Sequence, residues 1–352
     1  MDRIAFLLGA GASIPAGMPS TTKINKAIKN MIEEHDDVNH DIASKICSIV
    51  FGEDWQCRLI KNDFNYEDIY YIFQQLGDHE GGEYENPLTK IVIESLIDNK
   101  PICIAKTDIK CCSESMIQKI IECVRDCILL EDPSFDKLQI LNDILNLDSF
   151  GNIDIFSLNH DLVIEKLLKE EEINDGFEEI EGEKYKGFNP KLFSDPNGAK
   201  INFLKLHGSV DWCYNQENYK KYTVVTQQAG HSYDIAILTG TFNKLLDYNL
   251  SVYFHLFCSF YNLLTKNNLL IIIGYSFNDK GVNARLINWM HSGDDKIILI
   301  IDSNENVICN GREAIKNLYR EYCPDRIKEI YKPIEEVTMK DIRQEIKDWK
   351  LF

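Results

Sequence analysis

Residues 4–13, IAFLLGAGAS, place an apolar run directly before a glycine-rich turn. The run from Ile4 to Leu8 has the length and character of a strand buried on both faces. Gly9 and Gly11 permit a tight bend and a close approach of the backbone to a phosphate, and we expect the helix that follows to add N–H groups at its N-terminus. The usual dinucleotide fingerprint requires a third glycine, where this chain has Ile14. The turn alone therefore fits a structural bend and a phosphate site equally well.

Four later segments have the same form, an apolar run that ends in small or polar residues. They are IDIFSLNHD (153–161), INFLKLHGSVDW (201–212), LLIIIGYSFND (269–279) and IILIIDSN (297–304). Helical patterns separate several of them: LVIEKLLKEEE (162–172), VYFHLFCSFYNLLTKN (252–267) and VNARLINWMHS (282–292). Strands that alternate with helices predict an α/β fold with a Rossmann-like, doubly wound parallel sheet. The polar residues that end these runs should converge in one crevice at the carboxyl ends of the strands.

The region before the second run has a different pattern, because apolar residues recur there at three- and four-residue spacing. We predict helices within NYEDIYYIFQQLG (65–77), PLTKIVIESLIDNK (87–100), SESMIQKIIECVRDCILLED (113–132) and FDKLQILNDILNL (135–147), with Ser113 as a helix cap. The sequence thus predicts a core formed by residues 1–30 and 150–310, a helical insertion over 31–149, and a helical tail over 311–352 that packs on the core.

The composition limits the class of protein. The 352 residues are 44% hydrophobic, which is enough for a large core. No apolar run is long enough to span a membrane and the N-terminus lacks a secretory signal, so we predict a cytoplasmic protein. The net charge of −18 argues against direct binding to nucleic acid. The eleven cysteines include no CxxC pair, so a zinc ribbon built from such pairs is excluded by pattern and we expect no metal.

Candidate catalytic residues end the second and third predicted strands. Asn159 and Asp161 occur in FSLNHD. Capping of the next helix is the simpler interpretation of Asp161, whereas Asn159, deeper in the turn, is open to a catalytic role. His207 precedes Gly208. Such a histidine is more often structural than catalytic, but it titrates near neutrality and would be well placed as a general base.

Small and polar residues end the last two predicted strands. Backbone N–H groups and a hydroxyl, which could bind a ligand, follow the fourth strand. An acid that could hold ribose hydroxyls follows the fifth. Ordinary turn chemistry is the alternative for each of them. The residues are Gly274, Tyr275 and Ser276 in the fourth segment, and Asp302, Ser303 and Asn304 in the fifth.

Taken in order, these motifs resemble the NAD-binding fold of the sirtuins. GAGAS, an Asn-x-Asp strand end, His-Gly, a Gly-Tyr-Ser strand end and a late Asp-Ser-Asn follow the sirtuin order over residues 1–28 and 150–305. The resemblance implies that Asn159 and His207 are catalytic and that Asp161 orients the site. It also implies an NAD-binding set, which comprises Gly9, Ala10, Gly11, Ala12, Ser13, Gly274, Tyr275, Ser276, Asp302, Ser303 and Asn304.

The chain departs from the deacylase sirtuins in two places. It lacks their two CxxC pairs, and GMPSTTKI (17–24) stands where their first loop has an Asp-Phe-Arg element. The chain looks instead like the sirtuin-like NAD hydrolases of bacterial antiphage systems. That resemblance implies NAD as the substrate, cleavage of the nicotinamide–ribose bond to nicotinamide and ADP-ribose, and a defence role in which NAD+ is depleted.

The same resemblance implies control by assembly or by a partner. We expect a homo-oligomer, with a HerA-type ATPase or an Argonaute-like protein as a candidate activating partner. Two other functions stay open: an NAD-dependent protein deacylase, which the missing cysteine pairs disfavour, and a non-catalytic regulatory subunit that binds NAD or ADP-ribose.

Overall fold

The computed structural model describes residues 2–33, 38–82, 87–98, 106–129, 131–145, 150–168, 173–182, 186–194, 199–214, 222–224, 234–240, 244, 248–249 and 251–346. Parts of the predicted helices (99–100, 130, 146–147 and 169–172) and the end of the predicted tail (347–352) lie outside these residues. The chain forms two compact units. The sheet unit contains residues 1–18, 132–238 and 245–352, and the helical unit contains residues 19–131 and 239–244.

The sheet unit is built on two sheets. Its described strands are β1 (Asp2–Leu8), β2 (Phe150–Ser157), β3 (Ile173–Asn174), β4 (Phe177–Glu179), β5 (Lys186–Phe188), β6 (Ile201–Lys205), β7 (Gly208–Tyr214), β8 (Tyr222–Val224), β9 (Asp234–Ile237), β10 (Leu269–Ile273), β11 (Ile297–Asp302) and β12 (Ile327–Tyr331). Seven of them form a sheet in the order β12-β11-β10-β1-β2-β6-β3. Every neighbouring pair in this sheet is parallel. The predicted Rossmann-like α/β fold is confirmed.

The strand order also shows where the sheet reverses its direction of growth. From β1 the chain adds β2 and then β6 on one side, and β10, β11 and β12 on the other. Apart from the short edge strand β3, this is the strand order of a dinucleotide-binding Rossmann sheet. The carboxyl ends are level, because Leu8 of β1 pairs with Ser157 of β2 and Ile273 of β10. The turns after these strands therefore lie side by side.

The segment 201–212 forms two strands in different sheets, and His207, predicted to follow a strand, lies in the turn between them. The segment breaks at Leu206 and His207, and β7 begins at Gly208, which has a φ of 76°. A glycine in the left-handed conformation turns the chain without interrupting the run of apolar residues. The end of one strand and the start of the next therefore cannot be located from hydrophobicity alone. Strand β7 belongs to a second, antiparallel sheet with the order β4-β5-β8-β7-β9, which the sequence analysis did not predict.

Helices make up the helical unit and separate the later strands of the sheet unit. The helical unit contains α1 (Thr21–Glu33), α2 (Val38–Phe51), α3 (Trp55–Ile60), α4 (Tyr66–Gly81), α5 (Pro87–Asp98) and α6 (Lys106–Leu129). The sheet unit contains α7 (Gln139–Leu145), α8 (Val163–Leu167), α9 (Ser251–Thr265), α10 (Lys280–His291), α11 (Val307–Asn310), α12 (Glu313–Tyr322) and α13 (Met339–Glu345). None of the helices among the described residues is both long and apolar enough to cross a membrane.

Two predicted features of the helical regions are wrong. Ser113 does not cap a helix, because α6 begins at Lys106 and Ser113 is buried in its interior. The apolar stripe of α6 extends back to Ile109, so the helix starts before the apparent cap. The tail from residue 311 is not wholly helical, because β12 lies in it and pairs with β11. A five-residue edge strand between two helices is too short to show a clear period of two.

A buried polar network lies at the other end of the parallel sheet. The Asp154 side chain is fully buried and accepts hydrogen bonds from Arg3 (2.9 Å), Asn202 (2.7 Å) and Asn267 (2.7 Å). Asn267 precedes β10, and Arg3 and Asn202 lie near the starts of β1 and β6. Since a buried carboxylate is tolerated only when it is paired and hydrogen-bonded, these donors fix how the four elements meet.

Candidate active site

The GAGAS turn packs directly on the residue that follows β10. Gly9 N donates to Ile273 O at 2.9 Å, and Gly11 N donates to Gly274 O at 3.0 Å. A Cβ added at Gly11 would lie 2.6 Å from Gly274 Cα, and one added at Gly274 would lie 2.4 Å from Gly11 Cα. Atoms do not approach so closely without a shift. The glycines thus allow two backbone turns to contact each other. The sequence analysis expected them instead to let the backbone approach a phosphate.

No α-helix follows β1 directly, so the prediction of a helix N-terminus at this turn is wrong. Two short 3-10 turns, Ala10–Ala12 and Ile14–Ala16, come first, and α1 begins at Thr21. Pro15 removes a backbone donor, and Gly17, with a φ of 99°, ends the second turn in a left-handed conformation. Ala10 is exposed, whereas Ala12 and Ser13 are buried.

Asn159 connects the end of β2 to the GAGAS turn. Its Nδ2 donates to Gly9 O and to Ser13 Oγ, both at 2.9 Å. A carbonyl oxygen can only accept, so the bond to Gly9 fixes the orientation of the amide. Both N–H donors of the side chain are thereby engaged. Oδ1 is then the atom of Asn159 that can accept a hydrogen bond from a water or a ribose hydroxyl.

Asp161 lies two residues before the short helix α8 and binds the N–H of its first residue. Its Oδ1 accepts from Val163 N at 3.0 Å, and its backbone carbonyl accepts from the buried ammonium of Lys205. Lys205 Nζ also donates to His160 O at 3.4 Å and to Glu165 Oε1 at 2.7 Å. Burial raises the pKa of Glu165 to about 7, although the Lys205 ammonium opposes the shift. The lysine therefore holds the loop that carries Asn159, and an orienting role for Asp161 toward a substrate stays a prediction.

His207 lies in the turn between β6 and β7. Its carbonyl accepts from Leu238 N at 2.8 Å, just beyond β9. A Cβ at Gly208 would lie 2.0 Å from Ala236 O, so only glycine can follow the histidine without displacing β9. The His-Gly pair seen in the sequence thus has a steric cause, and the turn places the buried His207 ring next to the end of β2, with its centroid 6.3 Å from that of His160.

A carboxylate and a hydroxyl contact the ring of His207. Nε2 lies 2.9 Å from Tyr248 Oη and 3.1 Å from Asp279 Oδ2. Tyr248 Oη also donates to the same carboxylate. Asp279 in turn caps α10, because its Oδ1 accepts from Gly281 N at 2.8 Å and from Val282 N at 3.0 Å. An imidazole held by a buried carboxylate has the arrangement of an oriented general base.

The residues after β10 divide between the core and the surface. The Tyr275 side chain is buried, and its Oη donates to Asn283 Oδ1 at 2.8 Å, so the phenol serves the packing of α10. Burial raises the pKa of Tyr275 well above its usual value. Ser276 is exposed, and its Oγ accepts from Asn278 Nδ2 at 3.3 Å. The hydroxyl that can meet a ligand here is therefore Ser276, and not Tyr275.

A cavity of about 210 Å³ opens over the ends of β10 and β11. Residues from the GAGAS turn, from both strand ends and from the segment after β12 line it; among them are Gly11, Gly274, Asp302, Ser303, Lys332 and Glu335. Asp302 Oδ1 accepts from Asn304 N at 2.8 Å, and partial burial raises the pKa of Asp302. Asn304 is exposed, and its Oδ1 accepts from Asn306 N.

The predicted site residues form a row along the carboxyl ends of five adjacent strands. The strand order gives Asp302, Gly274, Gly9, Asn159 and His207, from β11 to β6. At about 4.8 Å between neighbouring strands, the row is roughly 19 Å long. The GAGAS turn and Gly274 occupy the position between β1 and β10 where the sheet reverses its direction of growth, which is where ligands bind in such sheets.

The structure adds three residues that the sequence analysis missed. Asp279 could have been identified, since an acid directly before a helix that begins Lys-Gly is a typical N-cap. Lys205 is the one charged residue in the run INFLKL, which hints at a buried partner. Tyr248 comes from a segment without periodicity, and no local pattern indicated it. Among the described residues, no cluster of His, Cys, Asp and Glu could hold a metal ion.

Comparison with protein families finds a match. Residues 154–322 match the SIR2-like domain family. The SIR2-like match begins in β2 and ends with α12, so it includes Asn159, His207 and Asp279 and leaves out the GAGAS turn. A search of curated proteins finds no match.

Three solved structures are among those to which this chain is similar. A Sir2 homologue in complex with NAD has 10% identity and a TM-score of 0.44, covering 98% of this chain and 90% of that chain. A Sir2 homologue mutant in complex with ADP-ribose has 9% identity and a TM-score of 0.43, with coverages of 98% and 92%. Sir2Tm bound to a propionylated peptide has 12% identity and a TM-score of 0.41, with coverages of 97% and 92%.

Proposed function

We propose that this protein is an NAD+ hydrolase that releases nicotinamide and ADP-ribose. One observation carries the proposal: an amide and an oriented histidine, Asn159 and His207, end neighbouring strands beside the turn at which the parallel sheet reverses. The SIR2-like match over residues 154–322 supports NAD as the molecule that this edge of the sheet receives.

The reaction needs little acid catalysis. Nicotinamide in NAD+ is cationic, so the bond from its ring nitrogen to the ribose anomeric carbon breaks with both electrons going to the nitrogen, and the ring leaves neutral. Water forms the new bond to the anomeric carbon and loses a proton. The site must orient the ribose, stabilise an oxocarbenium-like state and direct one water, unlike glycosidases, which also protonate the leaving group.

Two residues would perform these tasks. Asn159 Oδ1 would accept a hydrogen bond from the attacking water or a ribose hydroxyl, since the Nδ2 donors are already bound to the GAGAS turn. His207 would take the proton, because its ring is held against the Asp279 carboxylate. Asp161 would act indirectly, by fixing the loop that carries Asn159.

The remainder of the substrate would extend along the row of strand ends. We assign the diphosphate to the turn from Gly9 to Ser13 and to Ser276, which lie near the reversal of the sheet. The adenosine end would occupy the 210 Å³ cavity, where Asp302 can accept ribose hydroxyls. Ser303 and Asn304 would complete that end.

The test is to incubate the purified full chain with NAD+ and to quantify nicotinamide and ADP-ribose by chromatography. We expect equal amounts of the two products, and we expect His207→Ala and Asn159→Ala each to lower the rate by about 10²–10⁴-fold. The matched control is His291→Ala, at the exposed end of α10, which should keep the wild-type rate. A wild-type rate in His207→Ala would contradict the assignment.

An acyl-lysine peptide in a parallel reaction tests the alternative enzyme. Release of nicotinamide only with the peptide, together with transfer of the acyl group to ADP-ribose, would identify a deacylase and overturn the proposal. Binding of NAD+ without cleavage under every condition would identify a regulatory subunit instead.

We further propose a role in antiphage defence, with hydrolysis switched on by self-assembly or by a partner, because continuous NAD+ loss would kill the host. The rate should then rise with protein concentration or on addition of the products of neighbouring genes. Full activity in a dilute monomer, with mass photometry as the measure of assembly, would contradict control in trans.

A further inference from the structure

Asp279 lies between a helix N-terminus and His207. Its Oδ1 accepts from the first N–H groups of α10, at Gly281 and Val282, and its Oδ2 lies 3.1 Å from His207 Nε2. The side chains of His207 and Asp279 are 6% and 7% exposed, so water screens their interaction only weakly.

We propose that Asp279 is a positioning residue for His207 and that it determines which ring nitrogen acts as the base. The inference rests on the proposed hydrolysis of NAD+. A carboxylate can only accept, so in the neutral ring Nε2 carries the proton and donates it to Asp279. Nδ1 is then the nitrogen that takes a proton from a ribose hydroxyl or from the attacking water.

The carboxylate also stabilises the charged ring that this proton transfer creates. When Nδ1 accepts the proton, the imidazolium has its positive charge beside Asp279. Two backbone N–H groups and the Tyr248 hydroxyl donate to the Asp279 carboxyl group, and Arg285 attracts it electrostatically. These contacts hold the carboxyl group beside His207 before the substrate binds.

Among the described residues, three other titratable groups face the pair. Tyr248 contacts Nε2 from the segment before α9, His160 approaches from the loop after β2, and Arg285 extends from α10. A phenol, an imidazole and a guanidinium supply no negative charge near neutral pH. Of these four groups around His207, Asp279 is therefore the one whose charge favours the protonated ring.

Packing holds this arrangement in place. The Tyr248 ring lies against the first turn of α10, where a Cβ at Gly281 would be 2.3 Å from the ring, and its centroid is 3.6 Å from that of Phe257. The hydroxyl of Tyr248 can therefore reach the carboxylate of Asp279 and the ring of His207 together.

The decisive variant is Asp279→Asn. Asparagine caps helices about as well as aspartate, so the fold and the thermal midpoint should be retained while the charge is lost. The matched control is Asp325→Asn, which removes one exposed carboxylate. The first readout is the pH titration of the His207 Cε1–H resonance in NAD-free protein, assigned by its loss in His207→Gln. The second is the pH dependence of kcat and KM for NAD+.

We expect the midpoint of the His207 titration to fall by about one to three pH units in Asp279→Asn, because an opposite charge at this distance favours the protonated ring. We also expect kcat to fall by about 10²–10⁴-fold with little change in KM, as when a catalytic histidine loses the partner that fixes its tautomer. Asp325→Asn should match the wild type in both readouts, and Tyr248→Phe should lower the midpoint less than Asp279→Asn.

An unchanged midpoint, or a wild-type kcat in Asp279→Asn, would overturn the proposal. The titration needs no substrate, so it remains decisive if the wild-type chain proves unable to cleave NAD+. In that case the proposed function fails, and a fallen midpoint still supports the pairing of Asp279 with His207.

Discussion

Replacing Gly11 with alanine should separate the two turns that meet at the centre of the site. The new Cβ would lie 2.6 Å from Gly274 Cα, whereas carbon atoms prefer about 3.5–4.0 Å, so the turns must move apart by about 1 Å. Overpacking of this kind costs about 1–3 kcal/mol. The movement also breaks the 3.0 Å bond from Gly11 N to Gly274 O, which contributes about 1 kcal/mol. The sheet unit should therefore lose about 2–4 kcal/mol of stability.

Calorimetry of the purified variant measures this loss. For a unit of this size, 1 kcal/mol corresponds to about 2–4 °C, so the unfolding midpoint should fall by about 4–16 °C. The control is Gly77→Ala in α4, where the nearest atom to the new Cβ is 3.6 Å away and alanine is the better helix former, so no midpoint should fall. The expected shift is several degrees, so an unfolding midpoint of Gly11→Ala within about 1 °C of the wild-type midpoint would refute contact between the turns.

Three further predictions concern the buried charges. Lys205→Met should destabilise the sheet unit by about 3 kcal/mol in chemical denaturation, because Asp161 O and Glu165 lose their cationic donor; unchanged stability would contradict the described contacts. Glu165 has its pKa raised from 4.5 to about 7, so the folded protein holds a proton that the unfolded chain releases, and stability falls as pH rises through that window. Glu165→Gln should flatten this dependence of the urea midpoint, and an unaltered slope would exclude the raised pKa. Asp154→Ala removes the acceptor of two buried amides, Asn202 and Asn267, and of the partly buried Arg3. It should abolish the folded sheet unit in circular dichroism, whereas native spectra would show that the network is dispensable.

The long buried strands were predictable because both of their faces are apolar. Every residue of β10 is buried, and so are Ile4 to Leu8 of β1, which leaves continuous apolar runs in the sequence. Strands of two to four residues, such as β3 and β9, are too short to show an alternation of apolar and polar residues. The antiparallel sheet was therefore not predicted. The parallel, doubly wound sheet was predicted from the alternation of strands with helices, and not from any single motif.

Candidate site residues could be named from the sequence, but their contacts could not. Asn159 and His207 follow apolar runs, and their residue type and position make them candidates. That Asn159 binds the GAGAS turn, or that Asp279 meets His207 across 72 positions of chain, depends on long-range packing that no local pattern contains. The sequence shows that the two glycines of GAGAS permit a tight bend in the backbone. It does not show that they pack against Gly274, which is more than 260 residues away in the chain.

The buried network around Asp154 has a practical consequence for making this protein. Arg3 anchors the amino end of β1, a central strand of the parallel sheet, at the side opposite the GAGAS turn. A purification tag or fluorescent reporter joined ahead of β1 would leave the molecule on that opposite side and keep clear of the strand ends. Assays of substrate turnover can therefore carry a fusion ahead of β1.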